Sequence, residues 1–201
     1  MYCTTPLQVC LNAFTASIPA ALSNPNLEIL NLHHNSLSAL LPASLSAHTG
    51  MQLLNLAYNQ FEVSLADVSL APSMLFMYLN DNSFSGHFPF SSLCALGRLE
   101  LFYINRNQFE GRLPSCLGLL GGALQVFNVA DNLLTGPLPP SMANLTRLDT
   151  ALLSSNGFTG GLAGMFQNAP GLLTLDLSDN QFVGLAPYEV FRSAPGLLTF
   201  M

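Results

Sequence analysis

Eight asparagines recur at near-even spacing along the chain, Asn12, Asn35, Asn59, Asn82, Asn107, Asn132, Asn156 and Asn180, at intervals of 23 to 25 residues. An apolar frame runs around them: Leu27, Leu30, Leu32, Asn35 and Leu37 in one unit, Leu172, Leu175, Leu177, Asn180 and Phe182 in another, both reading L-x-x-L-x-L-x-x-N-x-[LF]. A unit of about 24 residues cannot bury its own apolar side, so it is stable only when stacked on neighbours of the same kind. The last two leucines of the frame are two apart, the period of a strand, so both point inward while the residues between and beside them point out. Each unit therefore adds one short parallel strand to a coil whose leucines form a continuous column. The asparagine falls where the chain turns away from the strand. Its amide offers two donors and an acceptor, and is expected to bond backbone groups in its own turn and in the next coil.

The second half of the unit is equally regular. Glycine follows the asparagine by four residues in five units (Gly86, Gly111, Gly136, Gly160, Gly184), and proline follows by seven in six (Pro19, Pro42, Pro89, Pro114, Pro139, Pro187). Glycine permits a turn closed to residues with a Cβ, and proline pre-sets an extended bend. The frame is the leucine-rich repeat signature. Segments such as Asn82-Ser-Phe-Ser-Gly86-His-Phe-Pro89 and Asn132-Leu-Leu-Thr-Gly136-Pro-Leu-Pro139 resemble the N-x-L-x-G-x-I-P pattern of plant-type leucine-rich repeats. That family includes the ectodomains of receptor-like kinases and receptor-like proteins, and the polygalacturonase inhibitors. The resemblance implies an α/β-type leucine-rich repeat solenoid, a curved right-handed coil with a parallel β-sheet on its concave face and short 3-10 or irregular segments on its convex face. Residues 1–201 are expected to form a single domain of about eight repeats plus the start of a ninth. Among the departures from the pattern, the third unit has Val63 and Ala66 where glycine and proline belong, which predicts a bulge, and the seventh has Ala163 in place of proline.

The repeat also decides how the composition is read. Half of the residues are apolar, only 8% are charged and the mean hydropathy is +0.41, values that would fit a membrane protein. Yet the stretch from Cys116 to Ala130 is cut by Gly118, Gly121, Gly122, Gln125 and Asn128. No run reaches the ~18 apolar residues of a membrane span. Nor does a charged region followed by an apolar one open the chain as in a secretion signal. Net charge is −6, lysine is absent, and Arg98, Arg106, Arg112, Arg147 and Arg192 are scattered, so nucleic acid and anionic lipid, which need a basic surface, are not expected partners. Cys3 and Cys10 are close enough to pair, whereas Cys94 and Cys116 lie 12 and 9 residues after their asparagines; unequal offsets argue against a bridge, and free thiols are expected there.

At the carboxyl end, Ala194-Pro-Gly-Leu-Leu-Thr-Phe200 nearly repeats Ala169-Pro-Gly-Leu-Leu-Thr-Leu175. A terminal coil without a polar cap leaves apolar surface and a strand edge open. This predicts that the 201 residues belong to a longer chain, and that the isolated segment self-associates through its last repeat.

Function must then reside in the outward positions of the strand face, which the repeat stacks into columns. Between the second and third leucines the column reads Gln8, Asn31, Asn55, Tyr78, Tyr103, Asn128, Leu152, Asp176; two residues on it reads Cys10, His33, Ala57, Asn80, Asn105, Ala130, Ser154, Ser178. The next column is Leu11, His34, Tyr58, Asp81, Arg106, Asp131, Ser155, Asp179. Neighbours in a column stand ~5 Å apart, so eight strands make a strip ~34 Å across, enough for an extended peptide or one edge of a folded partner. Tyr58, Phe76, Tyr78 and Tyr103 cluster on it, bordered by Asn80, Asn105, Asp81 and Arg106. These types are enriched in binding hot spots, though aromatic rungs equally stabilise a sheet by packing on one another. The candidate partner-binding set is Asn31, His33, Asn55, Tyr58, Phe76, Tyr78, Asn80, Asp81, Tyr103, Asn105, Arg106 and Asn128. Asp81, Arg106 and Asp131 read as an exposed charge row.

Catalysis and cofactors find no support. His33 and His34 lack the further ligands a metal site requires, Asp176 and Asp179 read as solvated, and no serine–histidine pairing, phosphate-cradling loop or kinase motif is present. No cofactor or metal is expected. Asn144-Leu145-Thr146 is an acceptor for N-glycosylation, twelve residues past Asn132 and thus away from the strand face. The resemblance implies a non-catalytic protein- or peptide-binding module, extracellular or membrane-anchored, serving as the recognition region of a receptor-like protein. A secreted inhibitor of a wall-degrading glycosidase and a structural or surface repeat protein stand as alternatives.

Overall fold

The apolar frame winds into one long and two shorter parallel sheets that share one core. In the computed structural model, which describes all residues except 1–6, 20, 21, 23, 25, 63 and 66–68, nine strands stack in chain order: Leu7–Gln8, Ile29–Asn31, Leu53–Asn55, Phe76–Tyr78, Leu101–Tyr103, Val126–Asn128, Thr150–Leu152, Thr174–Asp176 and Thr199–Phe200. The register is that of the columns, with Asn31 opposite Asn55, Tyr78 opposite Tyr103, and Leu152 opposite Asp176. The middle residue of each strand faces the core: Leu30, Met77, Phe102, Phe127, Ala151 and Leu175 have no exposed surface. Their flanking residues lie on the open face, as the two-residue period demands.

Most of the segments that follow the asparagines form a further short strand, which the sequence did not predict. Ser85–His87, Gln108–Gly111, Leu133–Pro137, Gly157–Gly160 and Gln181–Phe182 pair as a second parallel sheet, and Thr15–Ala16 pairs with Ser36–Leu37. The apolar residue two beyond the asparagine sets this up by turning inward. Phe61, Phe84 and Phe109 stack at centroid separations of 5.5 and 5.8 Å, a buried aromatic spine beside the leucine column. The repeat glycines sit at φ between 71° and 100°. At Gly111 and Gly136 a Cβ would also crowd the exposed His87 and Arg112 side chains of the preceding coil, which would have to shift, so it is the backbone conformation that requires glycine there.

The convex side carries short helical turns, the 3-10 segments Ala43–Ala47, Leu117–Leu120 and Pro140–Asn144 and the α-turns Phe90–Leu93 and Val190–Ser193. Here the structure corrects the expectation of free thiols. Cys94 and Cys116 form a disulfide, with Cα atoms 5.8 Å apart. Offsets from the asparagine mislead because the intervening segments differ: Cys94 closes the Phe90–Leu93 α-turn, whereas Cys116 precedes the Leu117–Leu120 3-10 turn, and the different geometries bring positions 12 and 9 together. The proposed Cys3–Cys10 pair and the bulge at Val63 and Ala66 involve residues outside those described. No helix among the described residues is long and apolar enough to cross a membrane.

Candidate ligand-binding face

Each strand ends in an asparagine turn, and these turns place the open-face side chains. Asn107 is representative: its Nδ2 donates to Leu79 O, Ile104 O and Asn105 O at 3.0, 3.1 and 3.3 Å, while its Oδ1 accepts the Phe84 N–H at 2.9 Å. Asn35, Asn59, Asn82, Asn132, Asn156 and Asn180 follow the same scheme, each taking partners from its own turn and one neighbouring coil. That neighbour is the preceding coil, where the sequence reading had the next one. Asn12 bonds its own turn, at Val9 O and Cys10 O.

The residue before each asparagine is left-handed. Leu11, His34, Tyr58, Asp81, Arg106, Asp131, Ser155 and Asp179 all have φ between 51° and 56°. This conformation is uncommon outside glycine and is held here by the turn. It swings a whole column to the rim of the strand face, and nothing in its mixed composition announced it.

The column one strand position inward divides by chemistry. Asn55 and Asn128 fold back, their Oδ1 atoms accepting the N–H two residues on, from Ala57 at 3.1 Å and Ala130 at 3.2 Å. Asp176 does the same with Ser178 N–H at 3.0 Å and takes the Ser178 hydroxyl at 2.7 Å. Asn31 pairs with the His33 ring, Oδ1 to Nδ1 at 2.6 Å. These are turns closed by short polar side chains, so all three amides picked out in this column are engaged in local structure. Asn128 is only 8% exposed. The sequence held the signal: Asn or Asp recurring at one repeat position is a turn former before it is a ligand contact.

Tyr78 and Tyr103 stand where that pattern lapses. Their rings stack at 5.3 Å and 17°, flanked by the half-buried Phe76 and Leu101 of the same strands. Burial raises both phenol pKa values, and for Tyr103 the neighbouring Tyr78 and the Asp149 carboxylate raise it further; both phenols are neutral donors at physiological pH. The Asn80 amide donates to Asp81 Oδ2 at 2.8 Å. Asn105 differs: its Oδ1 is buried without a hydrogen-bond partner among the described residues. At the rim, Arg106 contacts Asp81 at 3.1 Å and Asp131 at 3.9 Å, and the bond to Asp81 raises the guanidinium pKa further above its usual value. Tyr58, 44% exposed, stacks on His34 at 4.2 Å. The sequence-selected residues therefore share one face, with Tyr58, Tyr78, Tyr103, Asn105 and Arg106 contiguous and Asn31, Asn55 and Asn128 occupied in turns. Asn144 is exposed at the end of the Pro140–Asn144 turn, on the other side. Among the described residues no group of three or more His, Cys, Asp or Glu is placed to hold a metal ion.

Stacked strands, asparagine ladder and glycine–proline half-turns define a leucine-rich repeat solenoid. The Leucine Rich Repeat family model matches residues 26–47 and 123–145. Among solved structures, the chain is similar to the Arabidopsis receptor kinase HAESA, solved in complex with the peptide hormone IDA and the co-receptor SERK1, at 26% identity and a TM-score of 0.90 over 98% of this chain and 33% of that one. A TDR receptor aligns at 26% identity and a TM-score of 0.77, over 96% of this chain and 37% of that one. A plant ice-binding protein shares the fold at 22% identity and a TM-score of 0.66, over 91% and 66%. The chain thus spans about a third of the length of either receptor chain. A search of curated protein sequences returned no significant match.

Proposed function

We propose that residues 1–201 form one domain that serves as a non-catalytic, ligand-reading segment of a receptor-like protein, exposed outside the cell and binding a protein or peptide on its concave strand face. The observation that carries this reading is the agreement with HAESA over nearly the whole chain, since that receptor was solved holding a peptide. Within the face, the contacts fall on Tyr58, Phe76, Tyr78, Tyr103, Asn105 and Arg106, with Asn80 and Asp81 orienting the rim and Asn31, His33, Asn55 and Asn128 shaping the floor. Asn144, on the opposite side, would carry an N-linked glycan without obstructing the strip. The exposed apolar residues of the last coil, Leu185, Tyr188, Phe191 and Leu198, support self-association of the isolated segment.

The test is the double substitution Tyr78→Ala with Tyr103→Ala. Loss of peptide or partner binding with an unchanged melt is the expected result. A lowered melt with binding intact would mean that the stacked rings only pack the sheet, and the binding reading of this face would fall.

A further inference from the structure

The charges on the strand face are unevenly distributed. Arg106 is the one arginine in the open-face columns, and Asp81 already pairs with it at 3.1 Å. Across the next three strands, Val126–Asn128, Thr150–Leu152 and Thr174–Asp176, the face carries Asp131, Asp149, Asp176 and Asp179 and no lysine or arginine. Asp149 directly precedes the Thr150–Leu152 strand, is half-buried, and lies near enough to Tyr103 to act on it electrostatically. Asp176 is held ionised: burial opposes this, but hydrogen bonds from the Ser178 hydroxyl and backbone and from Ser154 outweigh it and keep the carboxyl below its usual 3.8. Thr150, Thr174, Ser154 and Ser178 line the rows between, half-buried and uncharged. A low-charge surface with fixed carboxylates and few competing cations focuses a negative potential along the strip.

A further feature points to something brought from outside. The Tyr78–Tyr103 pair, flanked by the half-buried Phe76 and Leu101, presents a stacked aromatic shelf on the open face.

We propose that the ligand is an extended, basic peptide, with an aromatic or apolar side chain on the Tyr78–Tyr103 shelf and lysine or arginine side chains over Asp149, Asp176 and Asp179. This rests on the reading of the concave face as a peptide site and adds the chemistry of its occupant. The strand of Tyr103 and the strand of Asp176 are three strand spacings apart, about 14 Å, which an extended peptide covers in about four residues. The anchor and the cation should therefore stand about four residues apart.

A random octapeptide display library, selected on the intact 201-residue chain, tests this. The expected outcome is enrichment of lysine or arginine about four positions from an aromatic or apolar residue. For the enriched peptide, Asp149→Asn with Asp179→Asn should weaken binding by about five- to tenfold and flatten its salt dependence. Asparagine tolerates the left-handed backbone at position 179, and a melt confirms that the variant folds. Enrichment of acidic or neutral peptides that is lost in Tyr78→Ala would overturn the charge assignment and leave the peptide reading standing. No enrichment above an empty-support control would overturn both.

Discussion

Asn107 lies 9% exposed and satisfies four backbone groups at once, three carbonyls and one N–H. Leucine, with no polar atom to offer, would leave those groups buried without partners, so Asn107→Leu should cost about 1–3 kcal/mol in a denaturant melt. An unchanged midpoint would reduce the ladder to a packing motif. Titration acts at the same scale. Burial first, then the nearby His34, lowers the His33 pKa below 6.5. The unfolded chain therefore takes up the proton first as pH falls through 6.5, and the folded state loses stability below that value and regains it as pH rises. Asp176, held below 3.8, contributes stability above that pH and loses it only as pH falls further through its folded value. Between pH 7 and pH 5 the wild type should lose stability that His33→Gln retains; equal losses in the two proteins would remove His33 as the cause.

At the scale of elements, the sheets and the convex turns differ in how far local sequence specified them. Strand positions followed from leucines two apart, because alternation is a property of the backbone itself. The second sheet did not, because N-x-F-x-G carries too short a period to distinguish a turn from a strand; the pairing of Gly86 opposite Phe109 and Gly136 opposite Phe158 arises only once coils stack. The Cys94–Cys116 bridge belongs here as well, joining two turns of different type on consecutive coils. It closes a loop with a sequence separation of 22, so Cys94→Ala with Cys116→Ala should lower stability by about 2–4 kcal/mol. Non-reducing peptide mapping gives the direct check, and two alkylatable thiols in the native protein would refute the pairing.

For the 201-residue segment taken by itself, the two outermost coils decide its behaviour in solution. Every interior coil is covered on both sides, and the core runs unbroken from Ile18 to Ala194. Leu185 is 85% and Leu198 82% exposed, beside Phe191 and Met201, and the Thr199–Phe200 strand is the sheet's edge. Such an edge pairs readily with another chain. The isolated segment should self-associate in light scattering, with poor amide protection from Leu172 to Met201. A monodisperse monomer with protected amides there would contradict this.

The sequence alone determined the coil, its period, the inward column and the membership of each open-face row, because all of these follow from backbone periodicity and from burying one apolar stripe per unit. Candidate binding residues were legible as a row for the same reason, but their state was not. Only the tertiary structure decided that Tyr78 and Tyr103 stack, that the Asn105 oxygen has no partner among the described residues, and that Cys94 reaches Cys116. Each of those outcomes depends on distances between coils, set by how side chains 20 or more residues apart pack against one another, and no local pattern in the chain encodes them.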